Sequence, residues 1–125
     1  MYNICYTKCM NRQQKNEIKA LLRERRGLLR EMSKLSLMIR GSFFQRYSTC
    51  SRPDCACRRG KRHGPRHYVA VTQGKIQKQH YVPNGQAEAV REGVGQYQRM
   101  MRIADRLTEI NLELMKGGAL DVSDR

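Results

Sequence analysis

The chain has 125 residues and a formal net charge of +14, with six tyrosines, two phenylalanines and no tryptophan. That length leaves room for one domain, and so few aromatic residues suit a thin helical core better than a thick sandwich or an α/β sheet. The charge asks for a polyanionic partner, nucleic acid first and an acidic membrane surface second.

The charge is unevenly spread. Residues 1–40 carry ten Lys/Arg against three acids, residues 41–85 nine against one, and residues 86–125 six against seven. It is densest around a group of cysteines in the middle of the chain. No segment has the apolar h-region of a targeting peptide or the length of a membrane span. Five cysteines, two of them separated by a single residue, make a poor disulfide framework and point to a reducing cytosol, so the expectation is a cytoplasmic protein with no membrane partner.

Met1–Met10 has no clear period and reads as a short strand or an arm. Cys5 and Cys9 within it could supply metal ligands, although partly buried thiols are the plainer reading. Asn11 can cap a helix, and no proline follows until Pro53. Ile18, Met32 and Ile39, with Leu21, Leu28 and Leu35, keep a heptad spacing flanked by Leu22 and Leu29. This predicts a helix over 11–40 that ends at Arg40-Gly41, with Gly41 as its C-terminal cap. Arg25 falls in the seam, which marks a break or a contact with something acidic. Phe43, Phe44 and Tyr47 are expected to wedge between the helix end and the next segment.

That segment, over 41–66, is a cysteine knot: Cys50, Cys55 and Cys57, then His63 before Gly64-Pro65, a C-x4-C-x-C-x5-H pattern. Zinc takes four soft or borderline ligands in a tetrahedron, and Cys3His is a common structural set. Cys50, Cys55, Cys57 and His63 supply it, with His67 or His80 as alternatives for the fourth position. Arg58, Arg59, Lys61, Arg62 and Arg66 favour the thiolate forms and offset the negative charge of such a centre. A structural zinc also contributes on the order of 10 kcal/mol to folding a small module, which a segment with little apolar surface needs. No carboxylate stands beside the ligands to serve as a base.

His67–Thr72 and Ile76–Val82 read as two strands joined at Gln73-Gly74-Lys75, a β-hairpin over 67–82. Pro83-Asn84-Gly85 is a turn. A second helix over 86–116 carries the series Val90, Tyr97, Ala104, Asn111 and Met100, Leu107, Leu114, with Asn111 as a register device. Gly93 and Gly95 weaken its first turns by roughly 1 kcal/mol each relative to Ala and predict a kink or break. Gly117-Gly118 ends it, and 117–125 is a tail. The predicted architecture is one mainly α domain (α+β): two long helices as an antiparallel hairpin or coiled coil, with the zinc knot and β-hairpin inserted at the tip.

Arg40-Gly41-Ser42, Arg46-Tyr47, Cys50, Pro53, Cys55-Ala56-Cys57, His63-Gly64-Pro65 and Tyr68 resemble a family of short prokaryotic proteins of unknown function. These share an RGS…RY..C..P.C.C..G..HGP.Y core and are often encoded near transposases and other mobile elements. The resemblance covers residues 20–115 and is most specific over 40–68. It implies a helix–zinc-knot–hairpin–helix layout and a mobile-element or defence setting. Arg66 and His67 stand where members often carry aromatic residues, which makes this strand more basic.

The leading functional expectation is an accessory protein that binds DNA or RNA through phosphate contacts. Arg58, Arg59, Lys61, Arg62 and Arg66 form its basic surface, extended by Arg52, Lys75 and Lys78. Tyr68 and Tyr81 could stack bases, with packing the plainer role. The second expectation is an adaptor that dimerises or bridges a larger nuclease or transposase through its helical stripes, including Met32, Met38, Met100, Met101 and Met115. The chain has no paired-carboxylate site, no Ser/His/Asp set and no phosphate-binding glycine loop, so an enzyme is not expected.

Overall fold

Asn11 starts the first helix as its cap: its side chain accepts from the Gln14 backbone N–H at 2.8 Å while Gln14 Oε1 accepts from the Asn11 N–H at 3.0 Å, a reciprocal capping box. The computed structural model describes residues 11–123, and the expectations for Met1–Met10, Cys5 and Cys9 lie outside them. The elements are α1 (Arg12–Met32), β1 (Ser42–Ser48), β2 (His63–Gln73), β3 (Ile76–Val82) and α2 (Ala87–Lys116). The chain is therefore α+β, two helices with a three-stranded antiparallel sheet in the order β1-β2-β3. It divides into two compact units: residues up to Lys34 with those from Arg99 onward, and Leu35–Gln98. No helix among the described residues is long and apolar enough to cross a membrane.

In the first unit the core lies on α2. Ile103, Ile110 and Leu114 are buried, whereas no residue of α1 is. The buried series runs one position earlier than the expected Tyr97–Ala104–Asn111 line. Leu29, Met101, Leu112 and Met115 stay about half exposed. Arg25, the charge in the α1 seam, donates to Asn111 Oδ1 at 2.9 Å, so two polar residues at apolar-seam positions satisfy each other. Arg106 forks onto Glu24 at 2.5 and 2.8 Å and reaches Glu109 at 3.0 Å. Its guanidinium holds the Glu24 carboxyl below its ordinary value.

The second unit begins where α1 has already stopped. The helix ends at Met32, not at Arg40: Ser33 turns back, its Oγ donating to Arg30 O at 2.6 Å, a local bond that competes with the helical one. The apolar period carries on through Leu35 and Ile39, but their backbone is held differently. Leu37 N–H donates to Gln96 Oε1 at 2.8 Å and Ile39 N–H to Gly93 O at 3.0 Å. Gly93 makes this close approach possible. A Cβ there would press on Leu37 O and within 3.1 Å of the Ile39 side chain. No break occurs there; α2 is continuous through Gly93 and Gly95.

The expected hairpin is present as β2–β3 and gains a third strand, β1, from the stretch read as knot. Register and alternation sort the side chains into two faces. One carries Phe43, His67, Val69 and Val82 and is covered, with Arg91 of α2 4.9 Å from the Phe43 ring centre. The other carries Phe44, Tyr68 and Tyr81 in one row across the strands, with Arg46 and Arg66 opposite each other beside it. Phe43 and Phe44 therefore belong to opposite faces of a sheet; they are not a joint wedge, and Tyr47 is exposed.

Two outcomes follow. Gly95, with nothing within 4 Å of an added Cβ, should gain up to about 1 kcal/mol of stability as Gly95→Ala through helix propensity, whereas Gly93→Ala should lose about 1–3 kcal/mol by overpacking, both read from urea unfolding. Glu24 has a depressed carboxyl, so its pairing with Arg106 adds stability at neutral pH that is lost as pH falls through the folded-state value. The unfolding midpoints of the wild type and Glu24→Gln should therefore differ at pH 7 and converge well below about 4.3, the unperturbed glutamate value.

Candidate metal centre

The connection between Ser48 and His63 has one buried apolar side chain, Cys57, at 2% exposure. Its path is set by short turns. Arg52-Pro53-Asp54-Cys55 closes with Cys55 N–H donating to Arg52 O at 3.3 Å, with proline at the second turn position, where its fixed φ fits. Cys55 leads into a 3-10 turn, Ala56–Arg59, which turns Cys57 inward. The pairing of Ser48 with His63 then closes the loop, after an irregularity in β1 between Arg46 and Ser48. Gly64 sits against that irregularity at φ +131°, where a Cβ would lie 3.0 Å from Arg46 O and 3.1 Å from the Tyr47 ring; only glycine takes both the angle and the contact readily.

The ligand atoms of Cys50, Cys55, Cys57 and His63 all lie within 4.8 Å of one another. Cys50 Sγ and Cys57 Sγ are 3.5 Å apart, and Cys55 Sγ is 3.3 Å from His63 Nε2. A sulfur pair at that separation is not a disulfide, whose S–S length is about 2.05 Å. The edges of a tetrahedron with Zn–S of about 2.3 Å and Zn–N of about 2.0–2.1 Å are roughly 3.5–3.8 Å; the Cys50–Cys57 and Cys55–His63 separations are near that length, and the remaining pairs lie within 4.8 Å. The four residues named from sequence are thus brought together as a group that could hold a metal ion.

Electrostatics favour a thiolate here. The Cys50 thiol is lowered to about 6, first by a hydrogen bond from the Arg52 backbone N–H and then by His63 and Cys57. Cys57 also accepts a backbone bond, from Cys50 N–H at 3.3 Å. For Cys57 the pull of that bond is outweighed by burial and by the neighbouring Cys50 and Cys55 sulfurs, so its thiol is raised. Such mutual opposition among crowded sulfurs is what a bound cation relieves.

His67 and His80, the alternative ligands, stand elsewhere. His67 stacks on Phe43 at 5.5 Å, and His80 pairs with Val69 across the strands. The basic residues also divide. Arg52, Arg59, Lys61, Arg62 and Arg66 are exposed on or beside the loop. Arg58, also exposed, is bound to the loop backbone, donating to Arg52 O at 3.2 Å and Cys50 O at 2.8 Å. Lys75 lies in the β2–β3 turn, at the other end of the sheet from His63, and Lys78 stands across from Val71. Sequence reasoning missed the bracing role of Arg58, for which no local signal existed, and the arginine–aromatic row of β1 and β2.

These features define a two-helix, three-strand protein with a Cys3His cluster in the β1–β2 connection. A family profile described as a domain of unknown function (DUF6788) matches residues 18–92, and the chain belongs to that family; the matched stretch takes in most of α1, the whole sheet, the cluster and the start of α2. No curated protein and no solved structure matches the chain.

Native mass spectrometry of the reduced protein should find one metal ion per chain. Cys57→Ser should lower metal retention against a chelator far more than His67→Ala or His80→Ala, because only Cys57 belongs to the cluster; equal loss in all three would contradict the ligand set.

Proposed function

We propose that this protein is a small zinc-stabilised nucleic-acid-binding accessory protein. The observation that carries the reading is the Cys3His cluster at the neck of a loop that exposes Arg52, Arg58, Arg59, Lys61 and Arg62, with Arg66 just beyond it. Zinc is the ion that the ligand set suits best, since three thiolates and one imidazole are a donor set of its structural sites. Held by the ion, the loop presents a fixed group of cations to phosphates, and contact of that kind is tolerant of sequence and sensitive to salt. Arg58 supports the arrangement from within by bonding the loop carbonyls. Lys75 and Lys78 would form a separate outlying contact. In the mobile-element or defence setting implied by the resemblance, the protein would accompany a larger nucleoprotein complex.

The helices are read as an antiparallel hairpin. Ile18 meets Gly117 and Arg25 meets Asn111, so later residues of α1 contact earlier ones of α2. One observation favours a second reading, an adaptor or dimerisation factor for a partner nuclease or transposase. Leu29, Met101, Leu112 and Met115 remain about half exposed while α1 buries none of its residues, leaving apolar surface for another helix.

The test of the main reading is the triple reversal Arg59→Glu, Lys61→Glu and Arg62→Glu, with Arg58 kept to preserve the loop. Binding of a labelled duplex should weaken strongly. The slope of log affinity against log salt should shrink by about 2 to 3, the count of lost phosphate contacts, at unchanged metal content. An unchanged affinity and slope, together with self-association in light scattering that survives high salt, would transfer the conclusion to the adaptor.

A further inference from the structure

One face of the sheet takes no part in the metal cluster, and α2 reaches it at Tyr97, beside Ser42 and Ala70, beyond the aromatic row. Across it Phe44, Tyr68 and Tyr81 form a single row: Phe44 is stacked on Tyr68 at 5.6 Å, and Tyr81 stands edge-on to Tyr68 at 5.9 Å. The Arg46 guanidinium lies over the Phe44 and Tyr68 rings at 5.5 and 5.0 Å and is anchored by a 3.0 Å bond to Gln79 Oε1. Tyr81 is 56% exposed. The face therefore carries an exposed tyrosine ring and an exposed guanidinium that lies over two neighbouring rings. Arg66, opposite Arg46, adds an exposed cation. One rung further on, the small side chains of Ser42 and Ala70 leave a cleft of about 250 Å³, lined also by Arg40, Thr72, Gln77 and Tyr97.

We propose that this face binds single-stranded nucleic acid, one unpaired base stacking on Tyr81 and its neighbour on the guanidinium plane of Arg46, with Arg66 on the intervening phosphate. The inference rests on the nucleic-acid reading above and narrows it to a strand state. Aromatic rings and guanidinium planes take bases whose π-faces are free, and a duplex keeps those faces inside its own stack. The sheet face also lacks the protruding helix or ribbon that reads a major groove. Charge supports the same occupant. Between Glu31 and Glu88 the single acid is Asp54, in the loop and not on the sheet, so nothing on this face repels a phosphate chain. The cleft beside the row offers the Thr72 hydroxyl and the Gln77 amide to the edge of a further base.

The experiment is fluorescence anisotropy on the full metal-loaded chain. The probes are a labelled oligodeoxythymidine of about 15 nucleotides, the upper end of single-strand site sizes, and a duplex of the same length. The wild type should bind the single strand more tightly. Tyr81→Ala should weaken it about 5- to 150-fold, the loss expected for one stacked base, and leave the duplex unchanged. Tyr81→Phe should retain wild-type affinity, which separates loss of stacking from loss of fold. Arg46→Lys keeps the charge and removes the plane, and should weaken the single strand alone. Tyr81→Ala binding the single strand as the wild type does, or losing both probes equally, would overturn the platform while leaving the phosphate-binding loop intact. Failure of the wild type to bind either probe would overturn the nucleic-acid reading and the platform with it.

Discussion

The connection from Ser48 to His63 cannot fold on apolar burial, and the architecture around it answers to that constraint. It presents five cationic side chains and buries only Cys57. Like charges this close repel in any compact arrangement. What draws the chain inward is chemical: four ligand atoms gathered within 4.8 Å, a Cys50 thiol lowered by an Arg52 backbone N–H, and one arginine, Arg58, turned to bond carbonyls. Each device converts a source of instability, a free thiol or a bare carbonyl, into a contact. The sheet then holds the loop's ends through the pairing of Ser48 with His63.

The sheet depends in turn on α2. Three short strands with one face in water have little stability alone, and here the covered face rests on the first turns of that helix, where Arg91 lies over Phe43. The linker from α1 is attached to the same turns by Gln96 and the Gly93 carbonyl. Gln96 is almost fully buried, and its Oε1 is satisfied by the Leu37 N–H, as a buried amide requires. Gly93 is thus a packing residue: the propensity it gives up as a helix former is offset by the backbone approach that it permits.

How much of this could be read beforehand follows from where the partners lie in the chain. The Cys3His cluster was legible because its four residues fall within one short stretch. The second helix was legible from its period, and the β2–β3 hairpin from its turn. The end of α1 was not, because Leu35 and Ile39 continue the heptad while the groups that pull the backbone away sit on α2, some sixty residues on. β1 was hidden because Phe43 and Phe44 are adjacent and Gln45 and Arg46 are polar on both faces, so no alternation shows. The buried line of α2 was misplaced by one residue because it contains Gln96, a polar side chain whose partner is a backbone group no pattern reveals.

The RY and HGP elements of the sequence signature meet in space, which gives the motif a physical meaning. Gly64 backs onto the Arg46 carbonyl and the Tyr47 ring at the irregularity in β1, and this local geometry sets Arg46 and Arg66 opposite each other. His63 is at once a member of the metal cluster and the strand partner of Ser48. The position of the arginine pair, and through Arg46 the covering of the Phe44 and Tyr68 rings, is therefore tied to the cluster by a few residues of continuous strand. A loop gathered at its Cys3His cluster and an aromatic sheet face are joined by so short a path that the loop's cations and the aromatic row are positioned together along one strand.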